Sequence, residues 1–177
     1  MKIKLPPLIH NFIGVMEGDV GPEVLPKSNS FLVASLGFFA LVEFGVRLLT
    51  HSAIGAVGIG VSATVFLIIV AAISARLLGR NERLVQTLIA LALAGAIVAL
   101  VNFVCRTFLK VGFHLMLEDE APVESITNFL LFPIFLWNII VYAVIFRRAF
   151  PIGTLLAFGL SFSCVLMLFF EIPHFFK

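Results

Sequence analysis

The sequence is short of charge. Only 12% of its 177 residues are Asp, Glu, Lys or Arg, while 61% are hydrophobic and the mean hydropathy is +1.15. Soluble domains carry about 25% charged residues, so too few ions remain here to hydrate the surface of a compact body. The missing solvent is lipid. Cysteine is almost absent: Cys105 and Cys164 both lie in apolar runs, which indicates neither a disulfide framework nor a thiolate metal site. The net charge of +2 is too small to point to nucleic acid. No nucleophile elbow, phosphate loop or nucleotide fingerprint is present, because Gly58-x-Gly60 sits in the middle of an apolar run. Length leaves no room for a soluble catalytic domain, and nothing calls for a cofactor.

What is present is a series of five apolar runs, Phe31–Leu49, Ala53–Leu78, Leu84–Cys105, Thr127–Phe146 and Pro151–Phe170. Each is close to the roughly 20 residues that cross a hydrocarbon core of about 30 Å. None alternates polar and apolar residues with period two, as a membrane strand would. A continuous apolar run in lipid must satisfy its backbone within itself, and only a helix does so. The sequence therefore predicts an all-α polytopic protein with five transmembrane helices. It divides into an amino-terminal segment, residues 1–30, and a five-helix domain, residues 31–177.

Lys and Arg set the expected orientation. With five spans, 8 of them fall on the amino-terminal side and 4 on the other. The amino terminus is expected in the cytoplasm and the carboxyl terminus outside, in an integral membrane protein of the bacterial inner membrane. The first segment has a basic start, but Pro6, Pro7, His10 and Asn11 interrupt its apolar stretch and no small-x-small site ends it; it is expected to be retained rather than cleaved. Ile9, Phe12, Ile13 and Met16 fall on one helical face, which predicts a short interfacial helix touching lipid. A second interfacial piece is predicted at Val111–Leu117.

Several residues carry possible chemistry. Small residues one turn apart in the second span, Ala56-x3-Gly60 and Gly58-x3-Ser62, and in the third, Ala92-x3-Ala96 and Gly95-x3-Ala99, allow close helix approach. The two spans can pack on one another through them, or Gly58, Gly60 and Ser62 can dock a partner helix. Glu43 and Arg47, at i and i+4, form a predicted intramembrane polar pair; a proton relay would need further ionisable groups in series, and none follows. Asn102 and Arg106 repeat that spacing in the third span, and Asn138 lies beyond Pro133, where a polar side chain can refill a bond lost to proline. His51, His114 and His174 fall on one side with Glu118, Asp119, Glu120 and Glu171. Imidazole with carboxylate suits zinc, but no local ligand spacing supports a metal there. Glu118, Asp119 and Glu120 belong to the longest connection between spans, Arg106–Ile126, which is read as a polar face for partner association. The expected partners are membrane lipids and other membrane proteins, with a homo-oligomer possible.

The arrangement resembles the Yip family, the Ypt/Rab-interacting membrane proteins, over roughly Asp19 to Phe170. The resemblance is carried by Leu78-Gly79-Arg80 leading into the third span, by Pro133-x3-Trp137 to Arg147-Arg148, and by Asp19-Val20-Gly21-Pro22. The last is similar to the family's Asp-Leu-x-Gly-Pro motif, one residue shorter. Asn81–Leu88 stands where eukaryotic members carry Gly-Tyr-x-Leu-x-Pro, and the amino-terminal region is short, so the likeness is to bacterial-type members. Membership would imply a non-enzymatic membrane adaptor, an accessory subunit or scaffold. The alternative from another class is a small transporter or channel-like component, which would require a continuous polar lining.

Overall fold

The computed structural model describes residues 6–114 and 120–176. These form helices, and no strand is present among the described residues. The order is α1 (Pro7–Glu17), α2 (Asn29–Arg47), α3 (Ala53–Leu77), α4 (Leu84–His114), α5 (Glu120–Ala149), α6 (Thr154–Leu166) and α7 (Ile172–His174). A π-helical turn, Met167–Glu171, joins α6 to α7 into one span. Five helical segments, Asn29–Arg47, Ala53–Leu77, Asn81–Leu109, Ile126–Ala149 and Thr154–His174, are long and apolar enough to cross a membrane. The chain is an integral membrane protein with the five spans that its sequence predicts.

Local chemistry explains where the helices start and stop. Ser28 caps α2 by accepting the Phe31 N–H at 3.3 Å, and Ser52 caps α3 by accepting the Gly55 N–H at 3.2 Å. Gly18 and Gly79 end α1 and α3 at φ +80° and +65°, a left-handed conformation that glycine adopts without strain. Two boundaries differ from the hydropathy reading. Helix α4 continues through Arg106 to His114, so residues 111–114 of the second predicted interfacial piece extend α4, and 115–117 lie outside the described residues. Helix α5 begins at Glu120, ahead of the apolar run. Charge marks where the apolar stretch ends, but backbone hydrogen bonding runs on: 31 residues of α4 span about 46 Å at 1.5 Å each.

Helix α4 is the axis of the bundle. Ile89 through Ala92, Ala94, Ala96 and Val98 are fully buried, and α2, α3 and α5 all pack on it. Helix α6 packs on α5. In α3 side-chain size rather than polarity separates the two faces. Ala56, Ala63, Ala71 and Ala75 point inward with Ile59 and Leu67, whereas Ile54, Val57, Val61, Val65, Ile69, Ile73 and Leu77 form an exposed stripe. Small residues inside and branched ones outside suit a helix whose solvent is lipid, where close approach rather than apolar burial drives packing.

The chain alternates between two ends. At the amino-terminal end, α1 lies across the bundle against α5, burying Phe12 and Val15 while Ile9 and Ile13 stay exposed. The predicted apolar stripe is thus shared between the bundle and the outside. Lys2 and Lys4, assigned to the same segment, lie outside the described residues.

Candidate functional site

At the opposite end the helices line an open cavity of about 830 Å³. Helix α2 contributes Glu43 and Arg47 in its last turn, and the short connection to α3 contributes Thr50, His51 and Ser52. Helix α4 supplies Ala99, Asn102 and Arg106, whose spacing of three and four residues keeps them on one face. Helix α5 supplies Asn128, Leu131, Phe132 and Phe135 by the same rule. Phe169, Phe170, Pro173 and His174 close the fourth wall.

The polar groups are tied to one another only in part. Arg47 Nε stands 3.5 Å from Glu43 Oε2, and its Nη2 donates to the Leu168 carbonyl at 3.3 Å, joining α2 to the last span. Arg106 donates to Asn128 Oδ1 at 2.8 Å, joining α4 to α5. His51 Nδ1 and Thr50 Oγ1 are hydrogen-bonded at 2.8 Å, and His51 Nε2 is buried without a partner. Glu43 is only 7% exposed. Its Oε2 and Arg47 Nε face each other as ions without the alignment of a hydrogen bond. An unmet donor or acceptor in a low-dielectric wall costs about 1–3 kcal/mol, and these atoms are packed inside the wall, out of contact with the cavity space.

The floor is closed. One turn below Glu43, Phe39 meets Tyr142 at Gly95, where a Cβ would run into the tyrosine hydroxyl and the phenylalanine ring. Tyr142 O–H donates to the Leu91 carbonyl at 3.2 Å. Phe39 and Tyr142 are essentially inaccessible. The polar lining therefore stops at the ion pair.

The glycines of the second span are filled from within the chain. A Cβ on Gly60 would stand 2.9 Å from the Ala40 carbonyl oxygen and 3.4 Å from the Phe44 nitrogen, so α3 touches the backbone of α2 there. The Phe176 ring occupies the notch at Gly58. Ser62 is half-buried. A partner helix would have to displace α2 or Phe176 to reach either glycine. Of the acidic residues assigned to partner contact, Glu118 and Asp119 lie outside the described residues, and Glu120 opens α5. Asn138 is buried with Oδ1 unpartnered; the polar link in that region is Ser161 O–H donating to the Ile139 carbonyl. Among the described residues no three His, Cys, Asp or Glu side chains are grouped to hold a metal.

Three separate sequence features thus converge: the Glu43–Arg47 pair, the Asn102/Arg106 repeat, and His51 with His174. Asn128 and the phenylalanines were missed. The spacing of Asn128, Leu131, Phe132 and Phe135 at i, i+3, i+4 and i+7 was the available signal. Compared with known protein families, curated proteins and solved structures, the chain matches none.

Proposed function

We propose that the protein is a non-enzymatic membrane scaffold or accessory subunit, similar to bacterial-type Yip proteins, that works by receiving a molecule or partner segment in its cavity. The observation that carries this reading is a polar vestibule ending on a sealed floor. Arg47 and Arg106 stitch its walls, and Phe39 and Tyr142 close it one turn below Glu43. Such a shape receives without conducting. The Lys and Arg distribution supports an amino terminus in the cytoplasm of a bacterial inner membrane, with the cavity mouth outside.

A photo-crosslinking side chain in place of Phe132 should form an adduct in native membranes, while the same group at Ile54 on the lipid-facing stripe should not form that adduct. In proteoliposomes the purified protein should show no saturable flux. Saturable, ion-dependent transport would establish the transporter reading instead. A membrane-impermeant thiol reagent should reach a cysteine placed at Ser52 and not one at Arg80; the reverse pattern would invert the orientation.

A further inference from the structure

The charges around the cavity are engaged with the protein itself. Arg47 stands 3.5 Å from Glu43, and Arg106 donates to Asn128 Oδ1 at 2.8 Å. Glu43 Oε2, Arg47 Nε and His51 Nε2 are sealed inside the wall. What the lining has left to offer is neutral hydrogen bonding, and Asn102 offers it. This residue is only 7% exposed, lines the cavity, and makes no side-chain hydrogen bond among the described residues. Unlike the three sealed atoms, its amide is not closed off, so its remaining surface opens into the cavity. A primary amide carries two N–H donors and a carbonyl acceptor, and leaving them unmet in apolar surroundings is unfavourable.

Depth sharpens the choice of ligand. Asn102 lies seven residues inside the Leu109 end of its span, about 10 Å along the helix. An ionised head drawn to that depth gives up its hydration, and it finds the carboxylate and both guanidinia already engaged. A hydroxyl or carbonyl needs only the bond that the amide supplies. The other half of the lining is apolar. Phe135 meets Phe169 and Phe170 edge to face at ring distances of 5.5 and 5.7 Å, and Phe132 and Phe170 are 52% and 59% exposed. These rings belong to the membrane spans, so the surface they leave open suits an acyl chain. One amide beside an open wall of rings matches a molecule with a single uncharged polar end and an apolar body. The volume of about 830 Å³ falls within the usual range for small-molecule sites of roughly 300–1,000 Å³, enough for such a head and the first part of a chain.

We propose that this cavity binds an uncharged membrane amphiphile, its hydroxyl or carbonyl head hydrogen-bonded to the Asn102 amide and its chain laid along the phenylalanine wall. The proposal rests on the reading of the cavity as a receiving site, and it names the class of molecule received. The bilayer, not the aqueous phase, is the source.

The test uses the full chain in phosphatidylcholine nanodiscs holding equal amounts of three lipids with the same oleoyl chains. These are dioleoylglycerol, which is uncharged, dioleoyl phosphatidylglycerol, an anion, and dioleoyl trimethylammonium propane, a cation. Bound lipid is read by native mass spectrometry, and dioleoylglycerol should be enriched over both charged lipids. Asn102→Leu keeps the size of the side chain and removes its hydrogen-bonding groups. It should reduce the enrichment about fivefold, the loss of one neutral hydrogen bond. Its unfolding temperature without added lipid should equal or exceed that of wild type, because no internal partner is lost. Ala99→Phe, which fills the cavity without altering its charge, should abolish the enrichment. Asn138→Leu, at a buried amide of α5 outside the lining, should leave it unchanged. Folding of each variant is checked by circular dichroism and by its elution as a single species. Equal retention of the three lipids by the wild type would overturn the proposal, as would preference for either charged one. Unchanged enrichment in folded Asn102→Leu would overturn it too, as would an equal loss in Asn138→Leu. An adduct at Phe132 without enrichment of the uncharged lipid would overturn the ligand class while leaving the receiving site in place. Absence of both adduct and enrichment would remove both readings.

Discussion

The two ends of the bundle use the same residue types to opposite effect. At the amino-terminal end, cationic and amide side chains are spent on backbone carbonyls. Arg83 Nη1 donates to the carbonyls of Arg148 at 3.2 Å and Ala149 at 3.3 Å, and also pairs with Glu23 at 3.7 Å. Gln86 donates to the carbonyls of Glu23 and Leu25, both at 2.8 Å, and Arg148 donates to the Gly18 carbonyl. These bonds tie residues 18–25 across the ends of α4 and α5 like a strap. At the cavity end, arginines join helices only at the rim and leave space between them. Both ends are hollow, with about 520 Å³ beside Asp19, Glu23, Arg147 and Arg148 at the first and about 830 Å³ at the second, so the way the arginines are tied, not composition, separates them. Arg83 and Arg148 close gaps by donating to backbone carbonyls, whereas Arg47, paired with Glu43 one turn back on its own helix, and Arg106, donating to Asn128, stand along the cavity lining.

The largest expected effect breaks the cavity end by moving its wall. Gly60→Leu would push α3 off the α2 backbone beside Glu43, and overpacking of this kind costs about 3 kcal/mol. Gly37→Leu, where a Cβ meets nothing within 4 Å, should leave thermal unfolding in detergent within about 0.5 kcal/mol of wild type. Equal effects at the two glycines would show that α2 and α3 do not depend on this contact. Next in size is Glu43→Ala. It strands the Arg47 guanidinium in a largely buried wall, and losing one partner of such a pair should cost about 2 kcal/mol where polar neighbours soften it. Glu43→Ala with unchanged stability would mean that the cavity hydrates the arginine fully. Gln86→Leu tests the strapped end: it removes two bonds to the strap, at about 1 kcal/mol each or less. Limited proteolysis between Gly18 and Lys27 should accelerate, while the crosslinked adduct at Phe132 forms as in wild type. Loss of both together would make the two ends one cooperative unit.

Much of this architecture was legible, and the physical reason is the solvent. Lipid demands long apolar helices, so hydropathy alone located five spans, and the charged or turn residues between them located the hairpins. Helix lengths were less legible, since α4 and α5 extend beyond their apolar runs on backbone hydrogen bonds that hydropathy does not report. The polar pair Glu43–Arg47 was visible because i, i+4 spacing is a local property of one helix. Its convergence with Asn102, Arg106, His51 and His174 was not visible. That depends on which helices neighbour one another, and an apolar bundle encodes neighbours in side-chain size, as at Gly60 and Gly95, rather than in a polarity pattern. The role of Gly58 shows the same limit: its notch is taken by Phe176, far away in the chain, and no spacing rule connects the two.

The smallest expected effect sharpens the contrast between ends by comparing ion pairs of the same chemistry. Glu23 and Arg83 lie 3.7 Å apart, hardly farther than Glu43 and Arg47 at 3.5 Å. The difference is exposure: the side chains of Arg83 and Glu23 are 29% and 48% accessible, those of Arg47 and Glu43 15% and 9%. Water around the first pair screens its attraction and solvates either partner when the other is removed, so Glu23→Ala should cost about 0.5 kcal/mol or less. The Gln86 bond to the Glu23 backbone carbonyl survives that substitution, which confines the change to the carboxylate. Because the pair is exposed, raising salt should erase the difference from wild type, the screening length falling to about 3 Å at 1 M. Thermal unfolding of wild type, Glu23→Ala and Glu43→Ala at low and high salt separates the cases. The Glu23 effect should be small and vanish with salt, and the Glu43 effect should be larger and persist. If Glu23→Ala costs as much as Glu43→Ala, or if salt erases both, burial does not distinguish the two ends and the strapped end is no better hydrated than the cavity.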